Sequence, residues 1–469
     1  MQRADSSGGL MLDQLERYSN HLQPYTELRL HANYESVVTM VGGTVVVNRE
    51  STVSGVSARS YQDGAFGFAS LPTLSDDAIP VVLGRAGDNA DLVTRCAPRS
   101  EPDLPEAGSG TGSFDHRTGR PAMTALEQLD VVRSIDAYLR RTYPELVNIE
   151  VSLNALSIEK GLANSAGAAT YSYVPRLVLM VRLAASASDG VVEAYDAFGG
   201  FGEAQDHLTD IEALFPKLDV LHGEVVDKAA GIFCQPGEHD VILDSALAGI
   251  LAHEAIGHTC EADLVLAGSI AGSQVGQQVA SDKVTLIDFA KRGPDGRGSI
   301  AIDVDDEGTP CRDVTLIEDG VLKGFLHNKE TARIMGAEPT GNARAYRFDD
   351  EPLVRMRNTA IMPGTDKLED MISSVERGYY LKRATNGQAD TTSEFMFGVG
   401  CGYEIVDGKL GRGLRDTTIA GIAFDMLKTI THVSGEMTWS KGGMCGKKQW
   451  IPVGMGGPAI KCRIGVGGR

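Results

Sequence analysis

Leu251-Ala252-His253-Glu254-Ala255-Ile256-Gly257-His258-Thr259-Cys260-Glu261 is the stretch on which the reading of this chain turns. A short apolar run, Asp240–Leu243, precedes it, and Asp244 or Ser245 is placed to cap a helix that runs to about Leu264. Two imidazoles suit a divalent metal, and the carboxylate beside the first suits proton abstraction from water, so the residue types point to a zinc hydrolase. The spacing is H-E-x-x-x-H, one residue longer than the common H-E-x-x-H. At about 100° per residue, positions i and i+5 lie about 140° apart on an ideal helix. Both rings reach one ion only if the helix is distorted. The sequence therefore predicts a π-type widening, or a helix end near Gly257, between His253 and His258. Leu247, Ile250, Leu251 and Ile256 set these ionisable groups against a core, where burying them unpaired is costly.

A catalytic zinc takes three protein ligands and keeps one open position. Spacing supplies two, and leaves Cys260, Cys401, Cys445, Glu261 and Asp282 open for the third. Cys445 lies in Gly442-Gly443-Met444-Cys445-Gly446-Lys447, where glycines allow close backbone approach and the lysine would favour a thiolate. The alternative is a small buried strand residue. Two other patterns fail. Asp303-x-Asp305-x-Glu307-Gly308 has Val314 at the twelfth position of a calcium loop, where glutamate is needed, and reads as the turn of an acidic hairpin. Gly398-x-Gly400-x-Gly402 sits among strands and opens no helix, which excludes dinucleotide binding. Serine catalysis has no G-x-S-x-G context.

Outward from the motif, the fold class reads as α+β. Residues 1–229 form an N-terminal unit with helices crossing an antiparallel sheet, and residues 230–469 a β-rich unit carrying the metal-site helix. Helices are expected at 9–23, 75–95, 123–142 and about 203–230, and strands at Tyr25–Tyr34, Ser36–Val47, Val53–Ser60, Val147–Ser157 and Tyr171–Ala185. The Pro- and Gly-rich residues 97–122 read as a surface loop, with a mobile lid as its functional alternative. Beyond residue 295, Glu318-Asp319-Gly320 and Asp407-Gly408 mark hairpins. Short helices are expected at 328–336, 365–378 and 419–430, and a closing strand at Ile460–Val466.

With 469 residues, the chain exceeds one core. A net charge of −19 leaves no basic field for phosphates and argues against nucleic acid as a partner. No apolar run reaches the roughly 18 residues of a membrane span. Seven unpatterned cysteines and a polar N-terminus favour a reducing compartment, the cytoplasm.

The chain resembles the TldD/PmbA family of metallopeptidases, on its motif-bearing TldD side. The likeness runs through His253-Glu254-Ala255-Ile256-Gly257-His258-Thr259-Cys260-Glu261-Ala262-Asp263 and Thr340-Gly341-Asn342-Ala343-Arg344. It continues in Asn358-Thr359, Met362-Pro363-Gly364, Asn386-Gly387-Gln388-Ala389-Asp390, Met444-Cys445-Gly446-Lys447 and Pro452-Val453-Gly454. Cys445-Gly446-Lys447-Lys448-Gln449 departs from the family, whose members tend to carry glycine before the glutamine.

The resemblance implies a zinc peptidase with one Zn(2+) per active subunit, held by His253, His258 and Cys445, with Glu254 as general base. Glu261 matches a family acid that would orient a ligand, and Asn342, Arg344 and Asn386 are candidates for substrate contact. It further implies cleavage of unfolded or flexible peptides, peptide maturation among the uses. The dimer would be a homodimer or would pair this chain with a related, motif-lacking one. Two competing expectations are an amide-bond-remodelling metalloenzyme of a natural-product pathway and a non-catalytic partner subunit; the intact His-Glu-His set argues against the second.

Overall fold

Gly42 and Gly43 both adopt left-handed backbone (φ 57° and 78°), the conformation a two-residue hairpin needs. They join two long strands, Thr26–Val41 and Thr44–Gln62, paired antiparallel from Thr26↔Ser60 to Val41↔Thr44 with one register shift between Thr39 and Met40. The structure of the protein, a computed structural model, describes residues 7–19, 22–96 and 109–467. Residues 97–108 of the expected loop or lid lie outside them.

Seven strands form the first sheet, in the order Ala65–Leu71, Thr44–Gln62, Thr26–Val41, Asn148–Asn164 and Ala169–Ala187. The last of these pairs with two further strands along its length: Thr111–Asp115 in parallel near one end, and Gly190–Phe201 in antiparallel along the rest. Leu28, Leu30, Val38 and Met40 alternate onto one face, as do Val151, Leu153 and Ala163, and Leu177, Leu179, Val181 and Leu183. Helices Ala125–Thr142 and Phe215–Ala229 pack on one half of that face. Helices Ser7–Ser19 and Ala78–Cys96 cover the other half.

The opposite face is polar, and the rest of the chain docks on it. Arg29, Arg59 and Lys160 are buried or nearly so against Asp306 and Glu307. Lys160 bonds Asp306 at 2.7 Å, Arg29 stands 3.6 Å from Asp306, and Arg59 pairs with both Glu27 and Glu307. The acidic turn read from Asp303–Gly308 is present, closed by a bridge between Val304 and Pro310. Its role was not legible: it is the plug that meets this basic face. Although burial pushes the Asp306 carboxyl up, Lys160 and Arg29 override it and hold the group below the usual carboxylate range.

An eleven-stranded sheet organises the second half. Strands Gly237–Leu243, Arg377–Ala389, Glu394–Val406, Thr417–Ile422 and Gly454–Val466 pair in that order, and the last pairs back onto the first, closing a ring. Val241, Leu381, Phe397, Ile419 and Ile460 share one core with Leu247, Leu251 and Ala255, so the helix of the motif is enclosed by the ring's apolar lining. Asp319-Gly320 and Asp407-Gly408 turn hairpins with positive φ at both residues, as read.

Several expectations need correction. Ser36–Val47 is not one strand: it spans the end of Thr26–Val41, the Gly42-Gly43 turn and the start of Thr44–Gln62. Val53–Ser60 is part of that second strand, because cross-strand pairing carries polar residues that break the alternation. Residues 97–122 include the strand Thr111–Asp115, a Gly- and Ser-bearing segment made extended by its neighbour rather than by its own propensity. Gly190–Phe201 is a strand between the expected strand Tyr171–Ala185 and the expected helix 203–230 that sequence patterning did not mark. The expected helix 203–230 is interrupted: only Ala204–His207 and Phe215–Ala229 are α-helical, and Pro216 at the start of the second marks the restart. Helices 365–378 and 419–430 shrink to Leu368–Ser373 and Ala423–Lys428, since Arg377–Ala389 and Thr417–Ile422 belong to the ring.

Candidate metal centre

Asp244 caps the motif helix, its carboxylate accepting from Leu247 N at 2.8 Å. The α-helix runs only over Ser245–Leu251. Ala252–Gly257 form a π-turn and His258–Cys260 a 3-10 turn, after which Glu261 is extended and a new helix, Ala262–Leu266, begins. The distortion demanded by the five-residue spacing lies between the two histidines. It brings their ring centroids to 5.2 Å. A regular helix through both would have held them apart.

Gly257 makes room for the wider turn. A Cβ at this position would lie 2.0 Å from Met356 Sδ, and Met356 is fully buried. Its backbone is ordinary right-handed helix (φ −57°, ψ −47°), so the requirement is space and not conformation.

Cys445 enters from the far end of the sequence on a small hairpin, Met444–Cys445 paired with Ile451–Pro452. Its Sγ lies 3.1 Å from His258 Nε2. The donor atoms of His253, His258 and Cys445 all fall within 4.8 Å of one another, the one such metal-competent group among the described residues. Both ring nitrogens of His253 are buried and have no hydrogen-bond partner, an arrangement that costs free energy unless a ligand completes it. Two imidazoles and one thiolate are a donor set that zinc accepts, and the residues fit the ion. Burial pushes the Cys445 thiol up, but His253 and His258 outweigh it and bring the group to about 4.

Glu261 is fully buried and accepts from His258 Nδ1 at 2.7 Å, which fixes the ring so that Nε2 faces Cys445. Burial alone would raise its carboxyl; His258 and Lys447 pull it down to about 2. Glu254 stands apart in character. Its carboxylate is 3.6 Å from His258 Nε2 and its side chain keeps 20% of its exposure, open to water and to an incoming ligand.

The lysine beside Cys445 does something other than what its sequence position suggests. Lys447 Nζ turns to Asp263 (2.7 Å) and Glu261 (3.1 Å), tying the cysteine hairpin to the end of the motif helix. Arg355, fully buried, donates to the carbonyls of Cys445 (2.9 Å), Lys447 (2.8 Å) and Gln449 (3.0 Å). Sequence reading missed Arg355; the one available signal was two arginines, Arg355 and Arg357, amid apolar residues, which are rarely buried without acceptors.

The other candidates lie elsewhere. Cys260 and Cys401 are buried with thiols pushed up to about 12 by desolvation, and Asp282 is exposed; none joins the cluster. Asn342 is fully buried, donating to Asp288 and the Arg355 carbonyl, each at 2.9 Å, and accepting from Thr340. Arg344, also buried, donates to the carbonyls of Met356 and Pro452. Their donors are committed to the Asp288 carboxylate and to the carbonyls of Arg355, Met356 and Pro452, so in this structure both residues brace the framework around the site. Asn386 is exposed on the strand Arg377–Ala389 and accepts from Gly398 N at 3.2 Å.

A ring-enclosed helix that widens to present two histidines, joined by a cysteine from a distant hairpin, defines a mixed α/β protein with a candidate metal site borne on a helix. The profile of the PmbA/TldA metallopeptidase C-terminal domain matches residues 236–468, and that of PmbA/TldA metallopeptidase domain 1 matches residues 26–90. A "Metalloprotease" of Methanothermobacter thermautotrophicus is 30% identical over 469 residues, covering 98% of this chain and 97% of its own. A "Zinc metalloprotease TldD homolog" of Saccharolobus solfataricus is 32% identical over 264 residues, 56% of this chain and 59% of its own. Among solved structures, TldE from Thermococcus kodakarensis superposes with a TM-score of 0.77 at 18% identity, covering 98% of this chain and all of its own, and so shares the fold. The chain belongs to the TldD/PmbA family of metallopeptidases. No helix among the described residues is long and apolar enough to cross a membrane.

Proposed function

We propose that this chain is a zinc-dependent peptidase in which His253, His258 and Cys445 hold one Zn(2+) and Glu254 is the general base. The observation that carries the reading is the convergence of the three donors within 4.8 Å, with both His253 nitrogens buried and otherwise unpartnered. A zinc ion held there supplies Lewis acidity toward a scissile carbonyl and acidifies a water molecule. Glu254, the part-exposed carboxylate of the cluster, takes the proton from the attacking water and passes it to the leaving amine. Glu261 fixes the His258 tautomer, and Lys447 balances the charge of Glu261 and Asp263. Residues 230–469 form the catalytic unit, and residues 1–229 the unit for substrate and dimer assembly.

The substrates are unfolded or flexible peptides, since main-chain pairing of an extended peptide with an exposed sheet edge suits sequence-tolerant cleavage, and Asn386, exposed on the strand Arg377–Ala389, is a candidate to contact them. The assembly is a dimer, either of this chain or with a motif-lacking relative, and the compartment is the cytoplasm. The test is hydrolysis of an unfolded peptide by zinc-loaded protein and by Glu254→Gln. The variant is expected to keep its zinc and lose at least about a hundredfold in rate; full activity in the variant would remove Glu254 from the mechanism.

A further inference from the structure

The hairpin that delivers Cys445 is fastened on every side but one. Cys445 points at the histidines, Lys447 reaches Glu261 and Asp263, and Gln449 accepts from Tyr346 N at 2.9 Å and donates to the Glu351 carbonyl at 3.0 Å. Arg355 holds three of the loop's carbonyls from below. Ile451 is buried. Of the loop's apolar side chains, Trp450 is the one left out: it is 64% exposed, the most exposed of the large hydrophobic side chains among the described residues.

Its position is defined by Gly446. A Cβ on Gly446 would stand 3.7 Å from Trp450 Cη2, so the six-membered edge of the indole lies across the backbone of the residue directly after Cys445. A loop held by these bonds therefore presents a large flat apolar surface against Gly446, the residue next to Cys445. Indoles give much contact area for little conformational entropy and dominate binding energy where they are found at recognition surfaces.

We infer that Trp450 is a specificity-determining residue, the platform on which one large apolar or aromatic side chain of the peptide rests beside the scissile bond. This rests on the peptidase reading above and deepens it: cleavage is tolerant in backbone terms but biased toward peptides with such a side chain. The indole stacks on the substrate and takes no part in proton transfer.

The chain has two tryptophans, which makes the inference directly readable. Trp439 is buried with its indole N–H on Asp295 at 3.2 Å and reports little of the surface. Zinc-loaded Glu254→Gln is titrated with unfolded, fluorescein-free peptides of one sequence carrying phenylalanine, leucine or alanine at a single varied site. Trp emission and, in parallel, calorimetric binding are followed. The expected result is a saturable blue shift of Trp emission for the phenylalanine and leucine peptides, with the calorimetric Kd, absent from the same titration of Glu254→Gln/Trp450→Ala. In otherwise wild-type protein, Trp450→Ala is expected to raise KM for the phenylalanine peptide about tenfold while kcat changes less than about threefold. The preference for phenylalanine over alanine in kcat/KM should collapse toward one, and Trp450→Phe should restore most of it.

Peptide binding with unmoved Trp emission, or an unchanged preference in Trp450→Ala, overturns the assignment and leaves the peptidase reading standing. Failure of every peptide to bind removes both. A fall of Trp450→Ala from dimer to monomer on sedimentation, with the preference unchanged, would make Trp450 a subunit contact and likewise overturn the inference.

Discussion

Gly257→Ala puts the site's geometry under the most direct strain. The new methyl would lie 2.0 Å from Met356 Sδ, 3.2 Å from its Cε and 3.3 Å from the Ala252 carbonyl oxygen. Ordinary carbon contacts are about 3.5–4.0 Å, so thioether or helix must give by about 1.5–2 Å. Met356 is fully buried and cannot swing into solvent, and overpacking of this kind costs about 1–3 kcal/mol. Against that stands the gain of about 0.5–1 kcal/mol from replacing a helical glycine by alanine, which the right-handed backbone of Gly257 permits. The expected net loss is about 1–2 kcal/mol, falling on the π-turn between the two histidines. A metal site tolerates displacement of roughly 0.5 Å before its affinity suffers, so zinc should weaken more than the fold does. The assays are denaturant unfolding of metal-free protein and zinc per chain after dialysis against a graded chelator. Gly257→Ala/Met356→Ala, which opens the space, should be less destabilised than the sum of the single changes by about 1 kcal/mol. Wild-type stability with unaltered zinc retention in Gly257→Ala would refute the claim that the glycine is there to accommodate the widened turn.

Glu261→Gln leaves the shape of the site but weakens the acceptor on His258 Nδ1, and should lower zinc affinity about 10–100-fold, read by competition with a chromogenic chelator. Asp306→Asn strands Lys160 and Arg29 at the buried junction of the two sheets, at a cost of about 3–5 kcal/mol in unfolding free energy. The pH dependence has a fixed sign: the Asp306 carboxyl lies below its unfolded value of 3.8, so its contribution is fully present above that pH and fades as pH falls further. Acid unfolding curves of wild type should therefore steepen below about pH 4, and Asp306→Asn should show less of that slope.

The two histidines, the glutamate beside the first and the need for a distorted helix were legible because they are local. Helix geometry fixes where side chains five residues apart can point, and the sequence between them is short. Hairpins at Asp319-Gly320 and Asp407-Gly408 were legible for the same reason, since positive φ has few residue solutions, whereas the turn at Gly42-Gly43 was read through as strand. Strand limits were not: Thr111–Asp115 and Gly190–Phe201 are extended because a neighbour pairs with them, a property absent from their own composition.

By itself, the sequence determined an α+β chain with a helix bearing two metal-competent histidines and a glutamate, and through its resemblance it pointed to Cys445. Tertiary structure alone decided the rest. It closed a ring of strands around the helix, set Cys445 3.1 Å from His258 across 187 positions of chain, and turned Lys447 and Arg355 inward to hold it there. The reason is physical. Local rules act over one or two helical turns, whereas the meeting of a cysteine and a histidine so far apart depends on the pairing and packing of every strand between them.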